Sequence, residues 1–396
     1  MSRARGLRLT KHLVNLRAMS ASSAMVWNWL RTGDELFPAM LAAIDSARQT
    51  VCLETYIFTA SELGRRFRDA LTGAAQRGVR VRVLVDAGGS LSLPDDFWSP
   101  LRSAGGEAKF FNPIALKRFG IRNHRKLLAC DERVAFVGGS NIAPEYEGDG
   151  VTRGWCDLGL RVEGPLVAEL ASSFDEMFGR ADFRHKPFVR LRRAELKRSV
   201  GQPQQTLLLS GPGRGRNPIQ RALRADLRQA RNAQILVAYF LPTLAFRRDV
   251  ARVARRGGTA QLLLPGRSDV AMSQLAGQSL YRRLLRAGVG VYEYQPQILH
   301  AKLFVVDDVV YVGSANLDPR SLSINYELML RFENAQMARE ARKIFTEALL
   351  HCQPVELEAW QKSRSMWTRL KQRWAHFILA RIDPFVARRQ WRALPD

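Results

Sequence analysis

The 396-residue sequence predicts an α/β protein of two similar lobes, each a mixed sheet flanked by helices, related by a pseudo-twofold axis and sharing one active site. Three observations predict it. Apolar strand-like runs alternate with amphipathic helical segments, the order that builds sheets with crossover helices. Residues 124–141 (HRKLLACDERVAFVGGSN) recur in pattern as 300–316 (HAKLFVVDDVVYVGSAN), each with H-x-K-x4-D, a second β-rich run and a glycine-led turn. The length is enough for two domains with separate cores.

The elements follow in order. Residues 1–27 carry Arg3, Arg5, Arg8, Lys11 and Arg17 without an acidic residue, and read as a frayed tail or a basic interfacial segment. Structure should begin near Trp27. Leu36, Met40, Leu41 and Ile44 give residues 34–48 a helical period, and TVCLETYIF (50–58) reads as a buried strand. Glu54 in that strand needs either a cationic phosphate site as partner or an exposed strand end. A helix over 63–77, Gly78 and the strand VRVRVLVDAG then imply a parallel crossover.

Residues 101–111 give a helix end and a strand. The loop 112–123 brings Lys117, Arg118 and Arg122 up to His124, as a grip on an anionic headgroup or as a solvated loop. Past the first motif come Asp157, the strand LGLRVEG and a helix over 165–178. The second half repeats the scheme: helix 223–229, strand 234–241, helix 247–256, strand AQLLLPG, a helix ending LLRAG, and strand VGVYEY before the second motif. Residues 180–205, rich in Arg and Lys, read as a basic linker. The expected domains are a basic segment 1–27, a first lobe 28–180, a linker 181–205, a second lobe 206–355 and a tail 356–396.

In that tail Trp360, Trp367 and Trp374 recur every seven residues, with Leu370, Phe377, Ile378, Ile382 and Phe385 near the same helical face. Arg369, Lys371, Arg373, Arg381, Arg388 and Arg389 surround them. The stripe suits either the interface of an anionic bilayer or packing on the catalytic lobe.

A net charge of +24 predicts attraction to a polyanion, nucleic acid or an anionic membrane, though an arginine-rich composition would also raise it. Cys52, Cys130, Cys156 and Cys352 show no C-x-x-C spacing and read as thiols in a reducing compartment. There is no apolar run of about 18 residues and no signal-peptide core, so a cytoplasmic protein with at most peripheral membrane contact is expected.

On a strand, residues two apart share a face, so His300 and Lys302 project together, as do His124 and Lys126. Imidazole, ammonium, hydroxyl and carboxamide groups then gather at the open end of each hairpin, the groups needed to hold and attack a phosphate. The duplicated motif, with GGSN and GSAN, resembles the signature of the phospholipase D superfamily. The segments ETYIF, QRGVRVRVLVD, VEGP, GSANLDPRSLSINYE and DPFVARRQW, over roughly residues 28–392, resemble bacterial cardiolipin synthases of the short type without N-terminal transmembrane helices.

The resemblance implies transfer of a phosphatidyl group onto phosphatidylglycerol, with hydrolysis of phospholipid or a nucleic-acid phosphodiesterase as alternatives. One imidazole attacks phosphorus and the other protonates the leaving alkoxide, through a phosphohistidine. Lys126 and Lys302, with Asn141, Ser314 and Asn316, would hold the phosphate oxygens. Of the motif residues His124, Lys126, Asp131, His300, Lys302 and Asp307, the two aspartates sit at hairpin turns and read as mainly structural.

By similarity to the family, Asp157 and Glu327 would orient the imidazoles, and His124 would be the nucleophile, with His300 as acid and then base. No metal or cofactor is implied. The implied partners are phosphatidylglycerol and an anionic membrane rather than nucleic acid. A monomer peripheral on the cytoplasmic face of the bacterial inner membrane is expected.

Overall fold

The computed structural model describes residues 25–113, 120–181, 197–213 and 215–383. Lys117, Arg118, the basic residues before position 25, those of 182–196 and the tail beyond 383 lie outside these ranges. The chain enters on β1 (Val26–Leu30), and Thr32 then caps α1 (Gly33–Ser46) by accepting a hydrogen bond from the Glu35 N–H. β2 (Thr50–Thr55), α2 (Glu62–Gln76) and β3 (Arg80–Asp86) form the expected parallel crossover. Gly78, at φ 85°, ends α2 in the left-handed region where a Cβ would be strained.

α3 (Ser99–Ser103) and β4 (Glu107–Phe111) precede the hairpin of β5 (Leu127–Cys130) and β6 (Val134–Gly138). β7 (Gly159–Glu163) and α4 (Leu166–Gly179) complete the first lobe. The second opens on β8 (Arg198–Gln202) and β9 (Gln205–Ser210), followed by α5 (Pro218–Gln229), β10 (Asn232–Val237), α6 (Leu244–Arg255) and β11 (Thr259–Pro265).

Then come α7 (Ala271–Gln278), α8 (Tyr281–Leu285), β12 (Gly290–Tyr294) and the second hairpin, β13 (Lys302–Val306) and β14 (Val309–Gly313). α9 (Pro319–Ser323), β15 (Glu327–Glu333), α10 (Ala335–Leu349) and β16 (Cys352–Pro354) close the lobe. α11 (Leu357–Lys362), α12 (Met366–Phe377) and a π-helical turn (Ile378–Ile382) form the described part of the tail.

The strand order β1-β7-β6-β5-β2-β3-β4 of the first sheet is repeated in the second as β9-β15-β14-β13-β10-β11-β12, with β8 and β16 added at the edges. In both, two parallel crossovers sit beside an antiparallel hairpin, so each sheet is mixed. Alternate residues of the buried strands serve different cores. Leu303 and Val305 face the space between the sheets, which α4 and α10 also fill, while Phe304 and Val306 face the outer helices of the second lobe. Leu127 and Ala129 face the shared core, and Leu128 and Cys130 the outer core of the first lobe.

Two expectations shift. Residues 198–210, placed partly in a linker, form a hairpin whose second strand pairs with β15. Arg198 there reaches Glu176 of α4 at 2.5 and 2.7 Å, so a charge assigned to the basic linker is a contact between lobes. The helix expected from Leu223 begins at Pro218, where the Asn217 side chain accepts from the Gln220 N–H. No helix among the described residues is long and apolar enough to cross a membrane.

Candidate active site

Both motif histidines lie just before the first strand of their hairpin, at the end where the parallel strands of their sheet finish. Each is fixed there by the opposite lobe. The His124 N–H donates to the Tyr326 carbonyl at 3.0 Å, and the His300 N–H donates to the Cys156 carbonyl at 2.7 Å. Short parallel bridges, Asn123 with Tyr326 and Cys156 with Leu299, repeat the same docking on the two sides. The next residue along each opposing segment is a carboxylate. Glu327 therefore reaches His124 Nδ1 at 3.0 and 3.1 Å, and Asp157 reaches His300 Nδ1 at 2.8 Å.

Each imidazole is thus oriented by a carboxylate from the other lobe. An anionic carboxylate at Nδ1 selects the tautomer with the proton on Nδ1, which leaves the Nε2 lone pair free. Burial lowers the pKa of both histidines, with the adjacent lysines adding to the effect and the carboxylates opposing it. Burial would raise Asp157, but the hydrogen bond from His300 and the positive charge around it hold the carboxyl below its usual range.

Lys126 Nζ donates to the His124 carbonyl at 2.8 Å, and Lys302 Nζ donates to the His300 carbonyl. Lys302 Nζ also lies 2.9 Å from His300 Nδ1 and 3.3 Å from its Nε2. Burial brings Lys126 down to about 7 and Lys302 to about 8. A phosphate anion in the site would favour the charged form of both.

The half-sites differ for a steric reason. A Cβ at Gly139 would stand 2.3 Å from Asp157 Oδ1, so the short aspartate occupies the space of a side chain there. The equivalent Ser314 coexists with the longer Glu327 and donates to its Oε2 at 2.5 Å. Ser321, from the Asp-Pro-Arg-Ser run that follows only the second hairpin, donates to Glu327 Oε1 at 2.7 Å. Ser314 accordingly bears on the glutamate in this structure.

Asn141 and Asn316 play matching parts. Their Oδ1 atoms accept the Ile57 N–H at 3.0 Å and the Tyr239 N–H at 3.3 Å, tying each glycine-led turn to the end of the neighbouring strand. Asp131 and Asp307 lie at the far turns of their hairpins, at φ 55° and 46°. Asp131 accepts the N–H groups of Arg48, Gln49 and Thr50, and Asp307 those of Arg231 and Asn232. They fix the entry to β2 and β10, rather than bonding only within their own turns.

Glu54 is not at an exposed strand end, and its cationic partner is Arg125 of the first motif. It is buried, accepts from Asn123 Nδ2 at 2.7 Å and lies 3.1 Å from the Arg125 guanidinium. Both partners flank His124, so Glu54 braces the approach to the hairpin. Arg122 is likewise engaged within the protein, 3.2 Å from Asp86.

Sequence reasoning missed the aromatic walls. Tyr146 and Trp155 stand with ring centroids 5.2 and 5.4 Å from His300, and Tyr56 stands 5.1 Å from His124. Asn141 Nδ2 donates to the Tyr146 hydroxyl at 2.7 Å, and that hydroxyl lies 3.4 Å from His300 Nε2.

The family described as "Cardiolipin synthase, PLD-like domain" matches residues 40–180 and 223–349. The chain is 34% identical to cardiolipin synthase B of Salmonella typhimurium over 367 residues, covering 90% of this chain and 88% of that one. It is 31% identical to cardiolipin synthase 1 of Bacillus anthracis over 389 residues, covering 94% and 76%. Among solved structures, phosphatidylserine synthase of Haemophilus influenzae superposes with a TM-score of 0.72 at 15% identity, covering 91% of this chain and 94% of that one, and shares the fold. With the duplicated hairpins and the repeated sheet order already described, these matches place the chain in the phospholipase-D-like cardiolipin synthase family.

Proposed function

We propose that the chain is a phosphatidyltransferase that moves a phosphatidyl group onto the glycerol of phosphatidylglycerol, forming cardiolipin at an anionic membrane surface. The observation that carries the chemistry is the pair of buried imidazoles, each with Nδ1 on a carboxylate from the other lobe. The lipid substrate is supported by the relatives, which are cardiolipin synthases.

In the first step His124 Nε2 attacks phosphorus, and the bond from phosphorus to the headgroup alkoxide breaks. His300 enters this step as the imidazolium, its charge balanced by Asp157 at Nδ1, and the alkoxide takes the proton from its Nε2, leaving that imidazole neutral. In the second step the acceptor hydroxyl gives its proton to His300 as its oxygen attacks phosphorus, and the P–N bond breaks. Lys126 and Lys302 balance the charge on the non-bridging oxygens. The Tyr146 hydroxyl, within reach of His300 Nε2, supports the assignment of His300 to the proton-handling side, because an alcohol oxygen already has a place there. Catalysis needs one chain, since both motifs and both carboxylates come from it.

Purified protein with phosphatidylglycerol vesicles, with and without added glycerol and with lipids resolved by mass spectrometry, tests this. Cardiolipin with released glycerol is expected, and added glycerol should lower its yield by driving the reverse transfer. Phosphatidic acid as the sole product would replace transfer by hydrolysis. No phospholipid turnover would overturn the lipid assignment and direct the search to single-stranded DNA.

A further inference from the structure

The described tail has two opposite faces. Gln372 and Ala375 are buried against α7, His376 Nδ1 lies 3.0 Å from the Ser279 hydroxyl, and Trp360 packs on Tyr281 at 4.9 Å between centroids. Beyond α12, Asp383 receives two hydrogen bonds from Arg320, at 2.6 and 2.7 Å. The helix is therefore anchored on the second lobe. At 100° per residue, Met366, Trp367, Leu370, Trp374 and Phe377 fall in one sector roughly opposite those anchors. Trp367 is 74% exposed, Trp374 56% and Phe377 51%.

An apolar stripe of this size facing water on a fixed helix needs a partner. Its borders say which. Arg373 and Arg369 lie along one edge of the stripe and Lys371 along the other, all exposed. A second copy of the chain would set these cations against their like, in molecules of net charge +24. Aliphatic Met366 and Leu370 among the aromatic rings suit acyl chains better than stacked bases.

The placement agrees. Leu244, Val270 and Met272 are also exposed, and they follow the carboxyl ends of β10 and β11, the end of the sheet at which His300 sits. Asp269, next to Val270, accepts a hydrogen bond from Tyr239, whose ring stands 6.4 Å from that of His300.

We infer that the outer face of α12 is a docking surface for an anionic phospholipid bilayer, with Trp367, Leu370, Trp374 and Phe377 entering the interface and Arg369, Lys371 and Arg373 at the headgroups. This deepens the proposed function, on which it rests for the identity of the lipids, by naming the surface that brings the site to them.

The test uses the full chain in sedimentation with phosphatidylcholine vesicles, with and without phosphatidylglycerol. The variant Trp367→Ser/Leu370→Ser/Trp374→Ser/Phe377→Ser should bind the phosphatidylglycerol vesicles about tenfold or more weakly, since interfacial binding scales with buried apolar area. Its thermal melt and its turnover of monodisperse short-chain phosphatidylglycerol should equal the parent's. Parent-like vesicle binding by this variant overturns the inference, as does loss of self-association or of single-stranded DNA binding with vesicle binding unchanged.

Should that variant fold poorly, two gentler ones decide. Arg369→Gln/Lys371→Gln/Arg373→Gln should lose most of the preference for anionic vesicles, and an unchanged preference overturns the inference. Brominated lipids should quench the parent's tryptophan emission and largely spare that of Trp367→Phe/Trp374→Phe, and an unquenched parent overturns it too. If the parent docks through α12 but turns over no phospholipid, the transfer reading falls while the docking surface stands. If turnover occurs and vesicle binding ignores α12, the reverse holds.

Discussion

At His300 Asp157 lies at Nδ1 and the Tyr146 hydroxyl near Nε2, while Lys302 Nζ stands beside both ring nitrogens. Asp157→Asn can present its amide to Nδ1 and so favour the wrong tautomer, with Nε2 protonated and no longer a base. Transfer is expected to fall on the order of 10²- to 10⁴-fold with an unchanged melting temperature, checked by cardiolipin formation and calorimetry. The lysines predict a pH dependence. A lysine is charged below its pKa, and these two lose their protons as pH rises through about 7 at Lys126 and about 8 at Lys302. Affinity for a phosphate analogue such as vanadate should therefore be highest on the acid side of that window and weaken above it, as read by the analogue's stabilisation of the protein against melting. The motif residues were legible because they come twice. The pairing of His124 with Glu327 and His300 with Asp157 across the lobes was not, because it depends on how the two halves dock. Tyr146 and Trp155 escaped notice because an isolated aromatic residue has no spacing to mark it.

The hairpin is the element that carries the chemistry at one end and its own support at the other. Asp131 satisfies three backbone N–H groups at the approach to β2 while holding a left-handed φ that Asp and Asn tolerate better than most residues. Asp131→Ala leaves those donors to water or unpaired and is expected to lower stability by about 1–3 kcal/mol. Turnover per folded molecule should stay near the parent's, so denaturant unfolding beside an active-site titration separates the two effects. A catalytic aspartate would behave in the opposite way. Strands and helices of the first lobe lay close to where periodicity put them. β8 did not, because its edge position leaves it polar and Arg198 finds its partner, Glu176, only in the other lobe. Similarly, the tail's regular tryptophans concealed a division of labour: Trp360 packs inward, and Trp367 and Trp374 face out.

Across the whole molecule the lobes have little independence. Their inner sheet faces share one apolar core, in which Phe174 of α4 and Phe345 of α10 belong to the same cluster. Trp27 and Trp29 of β1 donate to Glu340 of α10 at 2.7 and 3.1 Å, across the same division. Heating should give a single transition with matching calorimetric and van't Hoff enthalpies, whereas two resolved transitions would show lobes that fold separately. Truncating Phe345 to Ala should cost about 3–5 kcal/mol and still leave one transition. The exchange of carboxylates between lobes has a consequence in time as well as in space. As the chain leaves the ribosome, His124 and Lys126 emerge some two hundred residues before Glu327, the group that orients that imidazole. A nascent or prematurely terminated chain therefore holds His124 without the carboxylate that orients it, and the site is complete only once synthesis has reached the second half and the halves have closed.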